Sequence, residues 1–170
     1  MEADAVEESF VKIILCVLAI FIFGAVAALP MLAQDSPFVG TWKLNTAKSK
    51  VEGSPLPKSL TRTVTADGTG LKYVYEGVAA DGGAFSYSFS SNFDGKASPV
   101  TGTGMPGGAD SLVLKRVDPH KTTGVLSKGG KEIGKSEAEV SKDGKSTTIK
   151  SKTKSADGKE ISTVSVFDKQ

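Results

Sequence analysis

The sequence predicts an all-β domain, an up-and-down antiparallel barrel of about eight to nine strands, and three observations support this prediction. From Gly40 onward apolar and polar residues alternate with period 2, as in strands that bury one face. Turn signals such as Asp94-Gly95 and Asp143-Gly144 separate the alternating runs. No stretch of the domain keeps the period of a helix. A sandwich of two sheets is the alternative, because it also buries one face of each sheet.

The first 33 residues have the features of an export signal and are set apart from this domain. Residues 13–29, IILCVLAIFIFGAVAAL, form an uncharged apolar run, Pro30 ends it, and Ala33 precedes a polar stretch. We expect cleavage after Ala33 and a secreted or periplasmic domain over 34–170. The alternative is an uncleaved membrane anchor with the domain outside the cytoplasm, although a spanning helix needs about 20 apolar residues. The acidic start of the chain and Lys12 beside the run suggest that translation begins at Val11 rather than Met1.

Nine strands follow in order from the alternation and the turns between them. After a first strand from Gly40, the turn Ala66-Asp67-Gly68 joins the second strand to the third. Three alternating segments have a clear inward face, formed by Leu71, Tyr73 and Tyr75, by Phe85, Tyr87 and Phe89, and by Thr147, Ile149, Ser151 and Thr153. The segment 98–110 is expected to be the longest irregular loop. The predicted strands are 40–45, 59–66, 71–78, 84–92, 111–117, 121–127, 132–141, 146–155 and 160–168.

Composition excludes most catalytic chemistry. Residues 34–170 keep 20 basic and 15 acidic residues, a formal net charge of +5, with no cysteine. Zinc needs several His or Cys ligands, and this domain has only His120. His120 follows Asp118-Pro119 in a predicted turn, where no serine completes a nucleophilic arrangement. We therefore predict no catalytic residue, no metal site, no cofactor and no enzymatic activity.

Two nucleotide-binding motifs match by letters but lack their structural context. Residues 129–136 read GGKEIGKS, yet a phosphate-binding loop needs a buried strand before it and a helix after it. A Gly-Gly hairpin turn followed by a strand explains the segment better. Residues 102–107, GTGMPG, contain Pro106 and precede no helix. The lysines at 150, 152 and 154 have no interleaved aromatic residues, so neither a nucleotide nor a nucleic acid is expected to bind.

Residues 38–44, F-V-G-T-W-K-L, resemble the opening strand of the calycin superfamily, the lipocalins and fatty-acid-binding proteins. The resemblance implies a lipocalin-like barrel in which Trp42 plugs the closed end. More broadly, GTWKLNTAKSK at 40–50 and LKRVD at 114–118 resemble a group of small, secreted, uncharacterised bacterial proteins. Two features depart from fatty-acid-binding proteins: residues 46–58 are too short and Pro-rich for their helical lid, and Ser165 and Phe167 replace their Arg-x-Tyr clamp. The resemblance therefore supports the barrel but not fatty acid as the ligand.

The only two arginines, Arg62 and Arg116, share the parity of apolar neighbours. A buried guanidinium needs a partner, because an unpaired internal charge is expensive. One hypothesis is a monomeric, non-enzymatic barrel that binds a small amphipathic or hydrophobic ligand. Its interior binding residues would be Arg62, Tyr73, Tyr75, Phe85, Tyr87, Phe89 and Arg116. In the alternatives one arginine packs on Trp42 while the other reaches solvent, and the barrel is a filled structural or protein-interaction module of the cell envelope.

The export hypothesis predicts the N-terminus of the mature protein. Sequencing of the exported protein should begin at Gln34, because signal peptidase cleaves after a small residue such as Ala33. A precursor that contains residues 2–10 would contradict a translation start at Val11.

Overall fold

The computed structural model describes residues 35–155 and 157–170 as an all-β structure. The predicted signal peptide or anchor, its hydrophobic helix, the cleavage point and the translation start all lie outside the described residues. No helix in these two ranges is long and apolar enough to cross a membrane. The strands are β1 Gly40–Leu44, β2 Lys50–Glu52, β3 Ser59–Asp67, β4 Gly70–Val78, β5 Ala84–Ser91, β6 Ser98–Pro99, β7 Thr101–Gly102, β8 Ser111–Asp118, β9 Lys121–Lys128, β10 Lys131–Val140, β11 Ser146–Lys154 and β12 Glu160–Lys169.

The prediction of eight to nine strands is too low, since the sheet has twelve. All nine predicted strands are present with small shifts at their ends. The three additional strands, β2, β6 and β7, are only two or three residues long and lie in segments that contain Pro and Gly. Such short segments show no alternation and depend on pairing with distant strands. Part of the predicted loop 98–110 is therefore sheet.

The sheet closes into a nearly continuous antiparallel barrel. Its strand order is β6-β8-β9-β10-β11-β12-β1-β3-β4-β5-β7, with β2 paired to β12 beside this path. The two ends of the path, β6 and β7, are separated in the chain by Val100 alone. The amide of Val100 donates to the Asp110 carbonyl at 2.8 Å, and the amide of Thr103 donates to the Ser86 carbonyl at 2.8 Å. This one segment therefore joins the two edges and covers the backbone groups that an open edge would expose.

The turn between β9 and β10 accounts for the first nucleotide-like motif. Gly129 and Gly130 adopt φ angles of 55° and 76°, which suit a tight hairpin turn. The Gly129 amide donates to the Asp110 carboxylate at 2.6 Å. The strand β10 follows directly, so the segment has the predicted hairpin geometry.

One end of the barrel is a packed floor, formed by inward-facing residues that are almost completely buried. Register places Leu44 opposite Phe167, Phe167 opposite Thr147, and Thr147 opposite Val140. Burial of the apolar members of this set, such as Leu44 and Phe167, stabilises the fold by about 1.5–3 kcal/mol each. The floor residues are Phe38, Trp42, Val64, Leu71, Val140, Thr147 and Phe167.

The other end is covered by the segment 103–110, which contains a short 3₁₀ turn at Pro106–Gly108. Gly107 has a φ of 67° and lies against β10 and β11. A Cβ atom there would be 2.8 Å from the Lys154 carbonyl oxygen and 2.9 Å from Ile133 Cδ1. The backbone of this cover therefore lies so close to the strands that only glycine fits at position 107.

The substitution Gly107→Ala tests this close approach. It should destabilise the protein by more than the ~1–2 kcal/mol that a positive φ costs an L-residue, because the added methyl also collides with backbone. The matched control is Gly144→Ala, where φ is 69° and nothing lies within 4 Å of the added atom. Urea denaturation measures both variants, and equal losses would show that the cover is not tightly packed.

Candidate functional site

An interior cavity of about 120 Å³ lies between the floor and the 103–110 cover. Met105 and Pro106 of the cover form part of its lining. One wall comes from β3, β4 and β5, and the opposite wall comes from β8 to β12. The cavity is therefore a true interior space of the barrel and is the candidate site.

The first wall is a ladder of stacked aromatic rings on β4 and β5. Register places Tyr73 opposite Phe89 and Tyr75 opposite Tyr87. The ring centroids of these two pairs are 4.8 Å and 4.6 Å apart, and the rings are nearly parallel. Such contacts add about 0.5–1.5 kcal/mol per pair beyond the burial of area. Four residues predicted to bind a ligand thus form one rigid apolar surface beside the cavity.

The opposite wall combines apolar side chains such as Leu112, Leu114 and Leu126 with small and hydroxyl side chains on β10 to β12, and the small residues leave space beside the aromatic rings. Ser136 and Ala138 on β10, Ser151 on β11, and Thr163 and Ser165 on β12 all line it. Hydroxyl groups also let this wall donate or accept hydrogen bonds. The sequence analysis recognised the inward parity of Ser151 but did not identify any of these residues as part of a site. The alternation of these residues could be predicted from the sequence. The strand register that places them opposite the aromatic rings could not.

Arg62 lies in the aromatic wall as a buried charge, with 1% of its surface exposed. Its Cζ atom is 5.3 Å from the ring centre of Tyr73, 5.9 Å from that of Phe38 and 6.0 Å from that of Tyr75. Its Nε and Nη1 atoms are buried and have no hydrogen-bond partner among the described residues. Within the same residues it forms no ion pair with a carboxylate. Cation–π contacts therefore stabilise the charge only in part.

The phenols beside Arg62 stay protonated to unusually high pH. Burial raises the pKa of Tyr73 to about 12, although the charge of Arg62 acts in the opposite direction. The Arg62 guanidinium also lowers the pKa as a hydrogen-bond donor to the Tyr73 hydroxyl, but the contact is poorly aligned, and the buried hydroxyl has no aligned partner among the described residues. Burial also raises the pKa of Tyr87 well above its usual value. At neutral pH the Tyr73 hydroxyl is thus a neutral donor next to a cation.

Trp42 lies among the buried residues of the floor. Its indole Nε1 donates to the Phe38 carbonyl at 3.0 Å, and its surface is completely buried. Its cross-strand neighbours are Arg62 on β3 and Lys169 on β12. Lys169 lies over the indole, with Nζ 5.0 Å from the ring centre. Both neighbours of the tryptophan are therefore cationic, and one of them faces the cavity.

Arg116 and Phe85, two further predicted ligand-binding residues, are not part of the cavity lining. Arg116 is half-buried near the end of β8, and its Cζ lies 4.5 Å from the ring centre of Phe93. Phe93 has a positive φ of 59°, which is unusual for a bulky residue. Phe85 lies toward the covered end, where a Cβ on Gly104 would come within 2.5 Å of its ring. Parity put both side chains on the inward faces but could not give their position along the barrel axis.

A larger depression, of about 950 Å³, lies on the outer face of β8 to β12. Lys150, Lys152 and Lys154 line it, and Glu137 beside them pairs with Lys121 at 3.0 Å. None of the seven predicted ligand-binding residues lines this depression. Most of its lining consists of outward-facing side chains, although Ser136, Ser151 and Thr163 line both spaces. The smaller interior cavity is the better candidate site, because it holds the predicted aromatic residues and Arg62. Among the described residues no group of three or more potential metal ligands occurs.

Comparison with known proteins gives a structural similarity. The chain is similar to zebrafish ileal bile acid-binding protein, whose crystal structure contains cholic acid. The similarity covers 79% of this chain and 100% of that chain, with 16% sequence identity and a TM-score of 0.48. No protein-family model and no curated protein matches the sequence. The barrel architecture is therefore taken from the strand order and registers described above, and the resemblance to the bacterial group stays a prediction.

Tyr73→Phe tests the burial of the phenol through the pH dependence of stability. A raised folded-state pKa means that stability is complete below pH 10 and is lost as the pH rises from about 10 to 12, since the unfolded chain ionises first. The wild type should lose about 2–3 kcal/mol through Tyr73 in this range, and the variant should lack that part of the loss. Denaturant unfolding at pH 7 to 12 measures the difference. An identical alkaline loss in both proteins would contradict the burial of a protonated phenol.

Proposed function

We propose that this protein is a secreted or periplasmic, non-enzymatic binding protein that holds a small amphipathic or hydrophobic ligand inside its barrel. The observation that carries the proposal is the interior cavity of about 120 Å³, with aromatic rings on one wall and both aliphatic side chains and hydroxyl groups on the other. An amphipathic lining of this kind can bind an apolar body and orient a polar group. The expectation of a monomer that binds neither nucleotide nor nucleic acid belongs to the same proposal.

A filled barrel that acts as a structural or protein-interaction module is the second candidate, and the size of the cavity favours it. Pockets for drug-sized ligands usually occupy about 300–1,000 Å³. A cavity of about 120 Å³ is below that range, so the ligand must be small if one binds. An engineered apolar cavity of about 150 Å³ in another protein nonetheless binds benzene. The cavity volume therefore limits the size of the ligand but does not exclude binding.

Native mass spectrometry of the exported protein, purified without detergent, tests for a retained ligand. We expect an adduct that disappears on denaturation and that supplies the mass of the ligand. A mass equal to residues 34–170 alone would favour the filled barrel.

A cavity-filling variant gives an independent test with an added probe. Ser151→Leu should occupy the cavity and abolish the rise in melting temperature that benzyl alcohol produces in the wild type, because binding to the native state stabilises it. Thr148→Leu is the matched control, since it adds the same side chain to the outward face of the same strand. Equal responses of the two variants would contradict binding inside the barrel.

A further inference from the structure

The cavity contains a cation and a neutral donor whose partners are missing from the described protein. Arg62 Nε and Nη1 and the Tyr73 hydroxyl are all buried and without a well-aligned hydrogen-bond partner among the described residues, although the guanidinium lies close enough to act on the hydroxyl oxygen as a donor. Both side chains line the cavity. The two residues lie on the paired strands β3 and β4, where Arg62 is directly opposite Tyr75 and Tyr73 is opposite Val64. The unsatisfied donors thus converge on one side of a single space.

We propose that the ligand is a small monocarboxylate whose carboxylate group pairs with Arg62 and accepts a hydrogen bond from Tyr73. This proposal rests on the proposed function and specifies the chemical class of its ligand. A carboxylate suits these donors because it has two acceptor oxygens that match the fork of a guanidinium. It also supplies the negative charge that a buried guanidinium requires.

A buried arginine needs a counter-charge, because its side chain does not become neutral by losing a proton. A buried lysine or carboxyl group can become neutral, whereas a guanidinium stays protonated at every physiological pH. The rings of Tyr73, Tyr75 and Phe38 offer attraction to the cation but no acceptor for its N–H groups. A bound anion would satisfy both the charge and the donors.

The volume of the cavity sets the size of this anion. A space of about 120 Å³ is slightly smaller than the ~150 Å³ cavity that accepts benzene. Short-chain and small aromatic acids such as butyrate and benzoate therefore fit the class, and long-chain acids do not. Leu112 and Leu114 on β8 offer apolar contacts for the body of such a ligand.

The experiment compares acids with their neutral isosteres on the whole protein. Isothermal titration calorimetry would use butyrate against butyramide and benzoate against benzamide, in a buffer without other small carboxylates. We expect each acid to bind about tenfold or more tightly than its amide, as charged hydrogen bonds require. Arg62→Met should reduce the affinity for the acid to that for the amide, whereas Arg116→Met, which changes the only other arginine, should leave it unchanged.

A spectroscopic readout keeps the test valid if Arg62→Met does not fold. The chain has only two arginines, so a ¹⁵N spectrum of the Nε–H groups contains at most two signals. Butyrate should shift the Arg62 signal of the wild type and leave the Arg116 signal in place. The variant Arg62→Lys keeps the charge without the fork and should bind the acid more weakly than the wild type does.

The outcomes separate this proposal from the proposed function. Equal affinity for acids and amides, or an unmoved Arg62 signal, would overturn the carboxylate assignment while leaving a small-ligand barrel. An equal response to chloride would overturn it as well, because the site would then be selective for charge alone. If no acid, amide or benzyl alcohol binds, both proposals are wrong. Tighter binding of acids that depends on Arg62 but not on Arg116 supports both.

Discussion

Closure of the sheet is the constraint on which the rest of this structure depends. A barrel can bury one face of every strand only if its two edges meet, and here the five residues from Ser98 to Gly102 bring them together. β6 extends the ladder of β8, and β7 extends the ladder of β5. Without this segment, β5 and β8 would be open edges beside an exposed apolar interior. The positions of the cavity, of the floor and of the cover all follow from the closure of the sheet.

Inside the closed sheet, the distribution of side-chain size decides where empty space remains. The floor is filled because large residues such as Trp42 and Phe167 come from the neighbouring strands β1 and β12, where Phe167 is directly opposite Leu44. Above it, the rings on β4 and β5 face serines and threonines across the barrel, and the remaining volume becomes the cavity. Protein interiors normally contain few voids larger than a water molecule. A void between an aromatic wall and a hydroxyl wall is therefore a specific feature of this sequence.

The sequence predicted the long strands, the hairpin turns and the inward aromatic faces, because period-2 alternation and Asp-Gly pairs are local signals. It could not predict β2, β6 and β7, since strands of two or three residues exist only through partners distant in the chain. Parity assigned Arg62 and Arg116 to inward faces, but in the structure Arg62 lines the cavity, whereas Arg116 is half-buried and stacks on Phe93. The hydroxyl wall was missed for the same reason, since facing partners depend on register.

The pairing of β1 with β12 has a consequence for how this domain is made. The first strand of the barrel needs the last one, and the Gln170 amide still donates to the Thr41 carbonyl at 2.9 Å. The ring of strands therefore cannot be completed until β12 has been synthesised. Contacts between the two extremes of a chain also slow folding, because a long loop must close first. A chain without β12 would leave β1 and β11 with open edges beside the apolar interior, so the barrel forms only from the complete set of its strands.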